Sequence, residues 1–428
     1  MSSEDSDSKP GLLDATRVWA RIGILSFGGP AAQIALMHRE LVEERNWLSE
    51  NRFLNALSFC MLLPGPEAMQ LATYAGWRLH GTLGGLIAGL LFVLPGAAVM
   101  LVLSTLYVTF GKLPLIESLF LGVKAAVIVI VIEALLRVSK KALNGIDHWL
   151  IAALAFIGIF LFALPYPLIV VIAAAYGFLS AQPSQEPPGV KTASPQQNLS
   201  RTVATILLWL AVWFVPLIAL QLAVPDSLLN PIGAFFSKLA VVTFGGAYAV
   251  LAYMGQDVVQ NSAWLTTGEM MDGLGLAETT PGPLILVTQF VGYLAAFKEG
   301  GLGLAVAATI VTLWATFVPC FLWIFTGAPY IDWISNQPRL KGALSAITAA
   351  VVGVILNLSI WFALHVFFSS VGPWNHGPIQ TTMPDVATLD WRVLVLTVAS
   401  AIVLFKFHWG IARMLLAMAA LALVLGQF

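Results

Sequence analysis

Apolar runs of about twenty residues, the length that crosses a bilayer as one helix, follow one another along almost the whole of this chain. Nothing else limits its fold as strongly. Of the 428 residues, 59% are hydrophobic and 10% charged, against about 25% charged in soluble domains. In hydrocarbon every backbone N–H and C=O must find a partner inside the protein, so such a chain spans as helices or as a closed barrel. The runs are long and unbroken, without the alternation of barrel strands. The expectation is an all-α polytopic membrane protein of about 13 transmembrane segments. They fall near 15–38, 53–77, 83–108, 116–138, 147–163, 165–181, 203–223, 233–256, 269–295, 301–326, 342–367, 391–406 and 409–427. The fifth, sixth, twelfth and thirteenth are short enough to form hairpins that do not fully cross.

Two of these segments carry a sequence that should break them. LLPGPEAMQLATYAGW (62–77) and TTPGPLILVTQFVGY (279–293) each hold a glycine between two prolines. Proline removes a backbone donor and glycine is the next poorest helix former. A second kind of break, Phe27-Gly28-Gly29, lies in the first segment and returns as Phe244-Gly245-Gly246. Broken backbone at membrane depth is tolerated only inside protein or beside water. A break also creates helix ends, whose first N–H groups and partial positive charge suit an anion.

The breaks belong to an internal repeat. Phe27-Gly28-Gly29, Trp47-Leu48 and Pro64-Gly65-Pro66 recur at a constant spacing of 217 residues as Phe244-Gly245-Gly246, Trp264-Leu265 and Pro281-Gly282-Pro283. Arg21 falls on Lys238 and Glu40 on Asp257, with charge sign kept. Further on, insertions delay Pro319 relative to Pro95. The expected organisation is a disordered tail at 1–14, a first repeat at 15–181, a flexible Pro-, Gln- and Ser-rich linker at 182–202, a linking helix at 203–232 and a second repeat at 233–428. Seven crossings separate the two repeat starts, so the halves enter from opposite faces, an inverted-topology repeat with broken helices. Basic residues set the direction. Arg78, Arg137, Lys140, Lys141, Lys191, Arg201, Arg339, Lys341 and Lys406 fall on one side, and Arg39, Arg45, Arg52 and Lys298 on the other. This places the N-terminus in the cytoplasm and the C-terminus outside.

Ionisable residues within the apolar runs are candidates for function. Arg21 and Lys238 each stand six residues before a Phe-Gly-Gly, and snorkelling to the interface competes with a substrate role. Lys124 is deeper and has no basic match in the second half. Glu67 and Glu278 flank the Pro-Gly-Pro motifs, where a desolvated carboxyl can carry a coupling proton or simply compensate a helix dipole. His38, His80 and His148 read as structural, and Cys60 and Cys320 as buried small residues. Residues 39–53 read as an interfacial amphipathic helix with Trp47 and Trp264 as anchors. The chain shows no phosphate loop, dinucleotide fingerprint, metal-spaced Cys/His set or nucleophile elbow. The expectation is a transporter without catalytic residues, metal or cofactor, driven by an ion gradient or membrane potential. With a net charge of −1, nothing points to nucleic acid.

These motifs carry a resemblance. Residues 26–77, from SFGGPAAQ to YAGW, and 243–293, from TFGGAYAV to VGY, resemble the two repeats of the chromate ion transporter family in its long form. The resemblance implies export of chromate from the cytoplasm across a bacterial inner membrane, conferring resistance. It assigns substrate binding to Phe27, Gly28, Gly29, Pro64, Gly65, Pro66, Phe244, Gly245, Gly246, Pro281, Gly282 and Pro283. Pro30 is replaced by Ala247 in the second repeat, so the halves differ at the break. Sulfate, a tetrahedral dianion of similar size, stays open as an alternative substrate, an anion channel as an alternative mechanism, protons as the coupling ion and a homodimer as the assembly.

Overall fold

A computed structural model describes residues 10–111, 113–181, 199–244, 247–334, 337–377 and 379–426. The expected tail to residue 9, most of the linker (182–198), and Gly245 and Gly246 lie outside the described residues. What is described is nearly all helix.

The first half runs α1 (Leu12–Leu25), α2 (Gly29–His38), α3 (Glu50–Cys60), α4 (Glu67–Phe110), α5 (Pro114–Ala142), α6 (Ile146–Phe162) and α7 (Tyr166–Ser180). Then come α8 (Leu199–Ala223), α9 (Leu229–Val242), α10 (Ala247–Gln256), α11 (Thr267–Thr279), α12 (Val287–Gly327), α13 (Ile331–Ile334) and α14 (Pro338–Phe367). An antiparallel hairpin of β1 (Val371–His376) and β2 (Ile379–Pro384) precedes α15 (Trp391–Ala401) and α16 (Ile411–Leu425). Among the described residues, five helical stretches are long and apolar enough to cross a membrane: α4, α5, α8, α14 and α12 with its flanking turns. Four apolar helices, α6, α7, α9 and α16, are shorter.

The two longest helices are not straight. His80-Gly81 and Gly300-Gly301 leave helical geometry in the same way, with φ of +63° at Gly81 and +69° at Gly301. A Cβ placed on Gly84 would lie 2.3 Å from the carbonyl oxygen of Gly76. Eight residues of straight helix would separate the two by about 12 Å, so α4 doubles back into two arms. In α12, a Cβ on Gly292 would lie 2.3 Å from Oγ1 of Thr312, and the same reasoning applies. The expected gaps between segments at 77–83 and 295–301 are these turns.

The chain forms two compact units, and each draws on both sequence repeats. One unit consists of Met1–Val102, Gln182–Gly246 and Thr280–Pro338. Its core holds Trp19, Phe53, Phe59, Phe92, Phe236 and Phe290. The other consists of Leu103–Ala181, Ala247–Thr279 and Arg339–Phe428. Within it, α5 packs against α16 so closely that a Cβ on Gly122 would fall 2.1 Å from the Met418 carbonyl oxygen. The hairpin also belongs to this unit, as does a cavity of about 450 Å³ beneath its strands, lined by Asn357, Trp361 and Gln380 among others.

Residues 39–53 do not form one amphipathic helix. A five-residue π-helix (Arg39–Glu43) ends α2, and α3 starts only at Glu50. Trp47 is buried rather than an interface anchor, its N–H bonded to the Leu41 carbonyl at 2.8 Å. The second repeat copies this turn: a π-helix at Asp257–Asn261 and a Trp264 N–H bonded to the Val258 carbonyl at 3.0 Å.

Candidate functional site

Helix α1 ends at Ser26, whose hydroxyl donates back to the Ile22 carbonyl at 2.6 Å. Helix α9 ends 217 residues later at Thr243, whose hydroxyl donates to the Leu239 carbonyl at 2.5 Å. In each the following phenylalanine closes a tight turn, Phe27 N–H to Leu25 at 2.9 Å and Phe244 N–H to Val242 at 3.0 Å. The chain then leaves the helix, and the Ser26 and Thr243 carbonyls are directed elsewhere.

They point at the other repeat. The Gly282 N–H donates to the Ser26 carbonyl at 2.8 Å, and the Gly65 N–H donates to the Thr243 carbonyl at 2.9 Å. Each Pro-Gly-Pro therefore docks on the helix end just before the Phe-Gly-Gly of the opposite repeat. Gly65 has φ +116° and Gly282 φ +83°, conformations that side-chain-bearing residues rarely adopt. The prolines on either side need no donor partner, so a single amide per motif makes the link.

The second arms of α4 and α12 extend the reciprocity. Pro95-Gly96 follows the first turn of α4 as Pro319-Cys320 follows that of α12. A Cβ on Gly96 would lie 2.1 Å from the Pro281 carbonyl oxygen, and a Cβ on Gly65 would lie 3.2 Å from Cys320 Sγ. Each Pro-Gly-Pro is thus lined by the second arm of the other repeat. Pro64, Gly65, Pro66 and Pro281–Pro283 are buried.

Three glutamines complete the site, and the sequence reading missed them. Gln33 Nε2 donates to the Gly282 carbonyl at 2.6 Å and lies 3.3 Å from that of Ser26. Gln70 Nε2 donates to the Pro64 carbonyl at 2.7 Å, and Gln289 Nε2 to the Ala97 carbonyl at 2.9 Å. All three are buried, and each leaves its Oε1 without a hydrogen-bond partner. An amide within an apolar helical run is costly unless bonded; Gln70, four residues after Pro66, and Gln289, six after Pro283, carried that signal.

The amides of Gly65 and Gly282 are engaged by protein carbonyls. The first turns that follow the breaks, where the sequence places anion donors, begin with N–H groups that have no partner within the helix. Helix α2 is such a start: Gly28 offers no side-chain cap and Pro30 sits in the first turn.

The charged candidates are dispersed. Arg21 lies 3.5 Å from Glu40, with its side chain 53% exposed and that of Glu40 0% exposed. The firmer partner of Glu40 is Arg45, at 2.5 Å. Lys238 is exposed beside an apolar groove that includes Trp213, Leu217 and Val241. Glu67 opens α4 directly after the break and is half-buried. Glu278 is buried near the end of α11 and accepts a hydrogen bond from the Tyr248 hydroxyl at 2.8 Å. The histidines make structural contacts: His38 lies between Glu43 and Glu50, His80 bonds the Pro10 carbonyl, and His148 meets Ser345.

Comparison with known proteins bears on both repeats. The family model described as chromate transporter matches residues 13–178 and 231–426. The chromate transport protein of Pseudomonas aeruginosa is 35% identical over 78% of this chain and 77% of its own length. That of Cupriavidus metallidurans is 34% identical over 80% of each chain. A probable chromate transport protein of Synechococcus elongatus is 31% identical over 80% of this chain and 82% of its own. No solved structure matches.

Proposed function

The chain belongs to the chromate transporter family, and on that premise we propose that it is a secondary active transporter that exports chromate from the cytoplasm and confers resistance to it. The observation that carries the reading is the reciprocal docking of the helix breaks, Gly282 on Ser26 and Gly65 on Thr243. Discontinuous helices at a repeat interface are where secondary transporters hold their substrates. The substrate sits between the breaks at Phe27-Gly28-Gly29, Pro64-Gly65-Pro66, Phe244-Gly245-Gly246 and Pro281-Gly282-Pro283. Helix N-termini supply its hydrogen bonds, and Arg21 and Lys238 supply long-range attraction. The two repeats are inverted, so exchanging their conformations exposes the site alternately to each face. The protein lies in a bacterial inner membrane with its N-terminus cytoplasmic and its C-terminus periplasmic.

Neutral donors and helix ends recognise tetrahedral shape and charge, features that sulfate shares, so sulfate competes for the site. Energy comes from an ion gradient or the membrane potential, with protons the proposed coupling ion and Glu67 and Glu278 as candidates to carry them. The test is uptake of radiolabelled chromate into everted inner-membrane vesicles, with and without an uncoupler and excess unlabelled sulfate. Uncoupler-sensitive accumulation above equilibrium is expected. Equilibration without accumulation would make the protein a channel, and no uptake above vesicles lacking the protein would overturn the reading.

A further inference from the structure

One buried charge cluster stands apart from the breaks. Lys124 on α5 holds Asp272 on α11, with Nζ 3.1 Å from Oδ1. The Tyr107 hydroxyl, near the end of α4, donates to Oδ2 at 2.8 Å. The Asp272 side chain is 8% exposed and that of Lys124 24%. All three residues belong to one compact unit. An ion pair in a membrane segment is costly to desolvate, and apolar side chains of similar volume often serve packing as well or better. Packing therefore does not explain it.

The repeat supports that argument. At the 217-residue spacing Asp272 falls on Asn55 of α3. The first repeat places a neutral amide of nearly the same shape where the second places an acid, so this helix position does not demand a carboxylate. The other charged groups around Asp272 are accounted for. Glu269 closes a capping box, accepting from Thr266 N–H at 2.7 Å. On α5, Glu117 bears on Tyr107 more weakly than Asp272 and Glu269 do, and Glu133 pairs with Arg137 at 2.9 Å. Helix α16, which also packs on α11, has Arg413 in its first turn as its one charged residue. One turn before Asp272, Gly268 lies beside the ammonium: a Cβ there would be in ordinary contact, 3.6 Å from Lys124 Nζ.

We propose that Asp272 is the proton-accepting residue of the transport cycle and that its ion pair with Lys124 is the contact the proton opens. The carboxylate takes one proton from water, its O–H forms, and the ion pair with Lys124 breaks while Lys124 remains an ammonium. When the proton leaves, Asp272 reclaims Lys124. The Tyr107 hydroxyl holds the carboxyl in place in both states, donating to whichever oxygen stays unprotonated. This inference rests on the proposed chromate-carrier function, and it moves proton coupling from Glu67 and Glu278 to Asp272.

The experiment uses the full chain in proteoliposomes, with two readouts for radiolabelled chromate: counterflow at several pH values across the neutral range, and accumulation driven by a pH gradient. Wild-type counterflow tests the carrier reading itself. Asp272→Asn is expected to hold chromate no higher than uncoupled wild type, and its counterflow to lose its dependence on pH. Lys124→Gln is expected to shift that dependence to higher pH, because the carboxylate loses the cation that favours its charged form. The double variant K124Q/D272N buries no lone charge, so it keeps the test valid where a single variant fails to insert, and it too must lose the pH dependence. Gradient-driven accumulation by D272N or the double variant with the wild-type pH profile would overturn the proposal and leave the pair a structural one.

Discussion

Gly96→Ala tests the docking of the breaks most directly. The added Cβ would sit 2.1 Å from the Pro281 carbonyl oxygen and 2.6 Å from Leu286 Cδ1. The leucine methyl can rotate away, but the carbonyl belongs to buried backbone. Ordinary contact begins at 3.4 Å, so the second arm of α4 and the Pro-Gly-Pro must separate by about 1.3 Å. Such a shift stretches the adjacent Gly282 N–H bond to Ser26 from 2.8 Å to beyond hydrogen-bonding range. Overpacking costs about 1–3 kcal/mol, and a buried donor left unsatisfied costs about 1–3 kcal/mol. Together they predict a loss of about 2–6 kcal/mol, enough to lower thermal stability in detergent and to abolish chromate uptake. Gly303→Ala is the control, because its Cβ meets nothing within 4 Å and Gly303 is exposed on α12. If Gly96→Ala matches Gly303→Ala in stability and uptake, the reasoning from this contact is wrong.

Gly65→Ala and Gly282→Ala force a side chain into positive φ, at about 1–2 kcal/mol each, and should impair uptake while leaving membrane insertion intact; normal uptake by both would remove the breaks from the substrate path. Arg45→Ala should destabilise the protein by about 3 kcal/mol because it strips buried Glu40 of its closest partner, whereas Arg21→Ala should cost under about 1 kcal/mol, its side chain being half exposed. If Arg21 attracts substrate, its removal raises the KM for chromate without changing detergent stability; an unchanged KM limits it to the Glu40 contact. Glu67→Gln separates coupling from dipole compensation: uptake that still responds to a pH gradient excludes Glu67 as the coupling group.

The repeat was legible because its marks are local. Glycine and proline at the breaks, the conserved charge signs and the turns near 80 and 300 each follow from what a residue does to its own backbone. The partners of those marks were not legible. The bonds Gly282 to Ser26 and Gly65 to Thr243 join backbone atoms, so no side-chain type announces them. Arg21 read as a substrate or interface cation because Glu40, nineteen residues on, returns to it only through the π-helical turn. Asp272 was hidden for a different reason: Lys124 was noticed, but its partner lies on α11, 148 positions away. The β1–β2 hairpin fell in a stretch that spans alone left as a connection.

The crossed docking also explains why two repeats share one site. Each Pro-Gly-Pro takes its anchoring carbonyl and its lining arm from the other half, so neither break has a complete environment within its own repeat. Loosening of Gly65 from Thr243 changes the surroundings of Cys320, just as loosening of Gly282 from Ser26 changes those of Gly96. Opening one break therefore acts on the arm of the repeat that holds it, and that arm is continuous with the other break through its own turn, at Gly81 or Gly301. In the proposed transport cycle, tightening one docked pair while releasing the other would supply a two-state element. The asymmetries, Pro30 against Ala247 and Asn55 against Asp272, keep the two docked pairs from being equivalent.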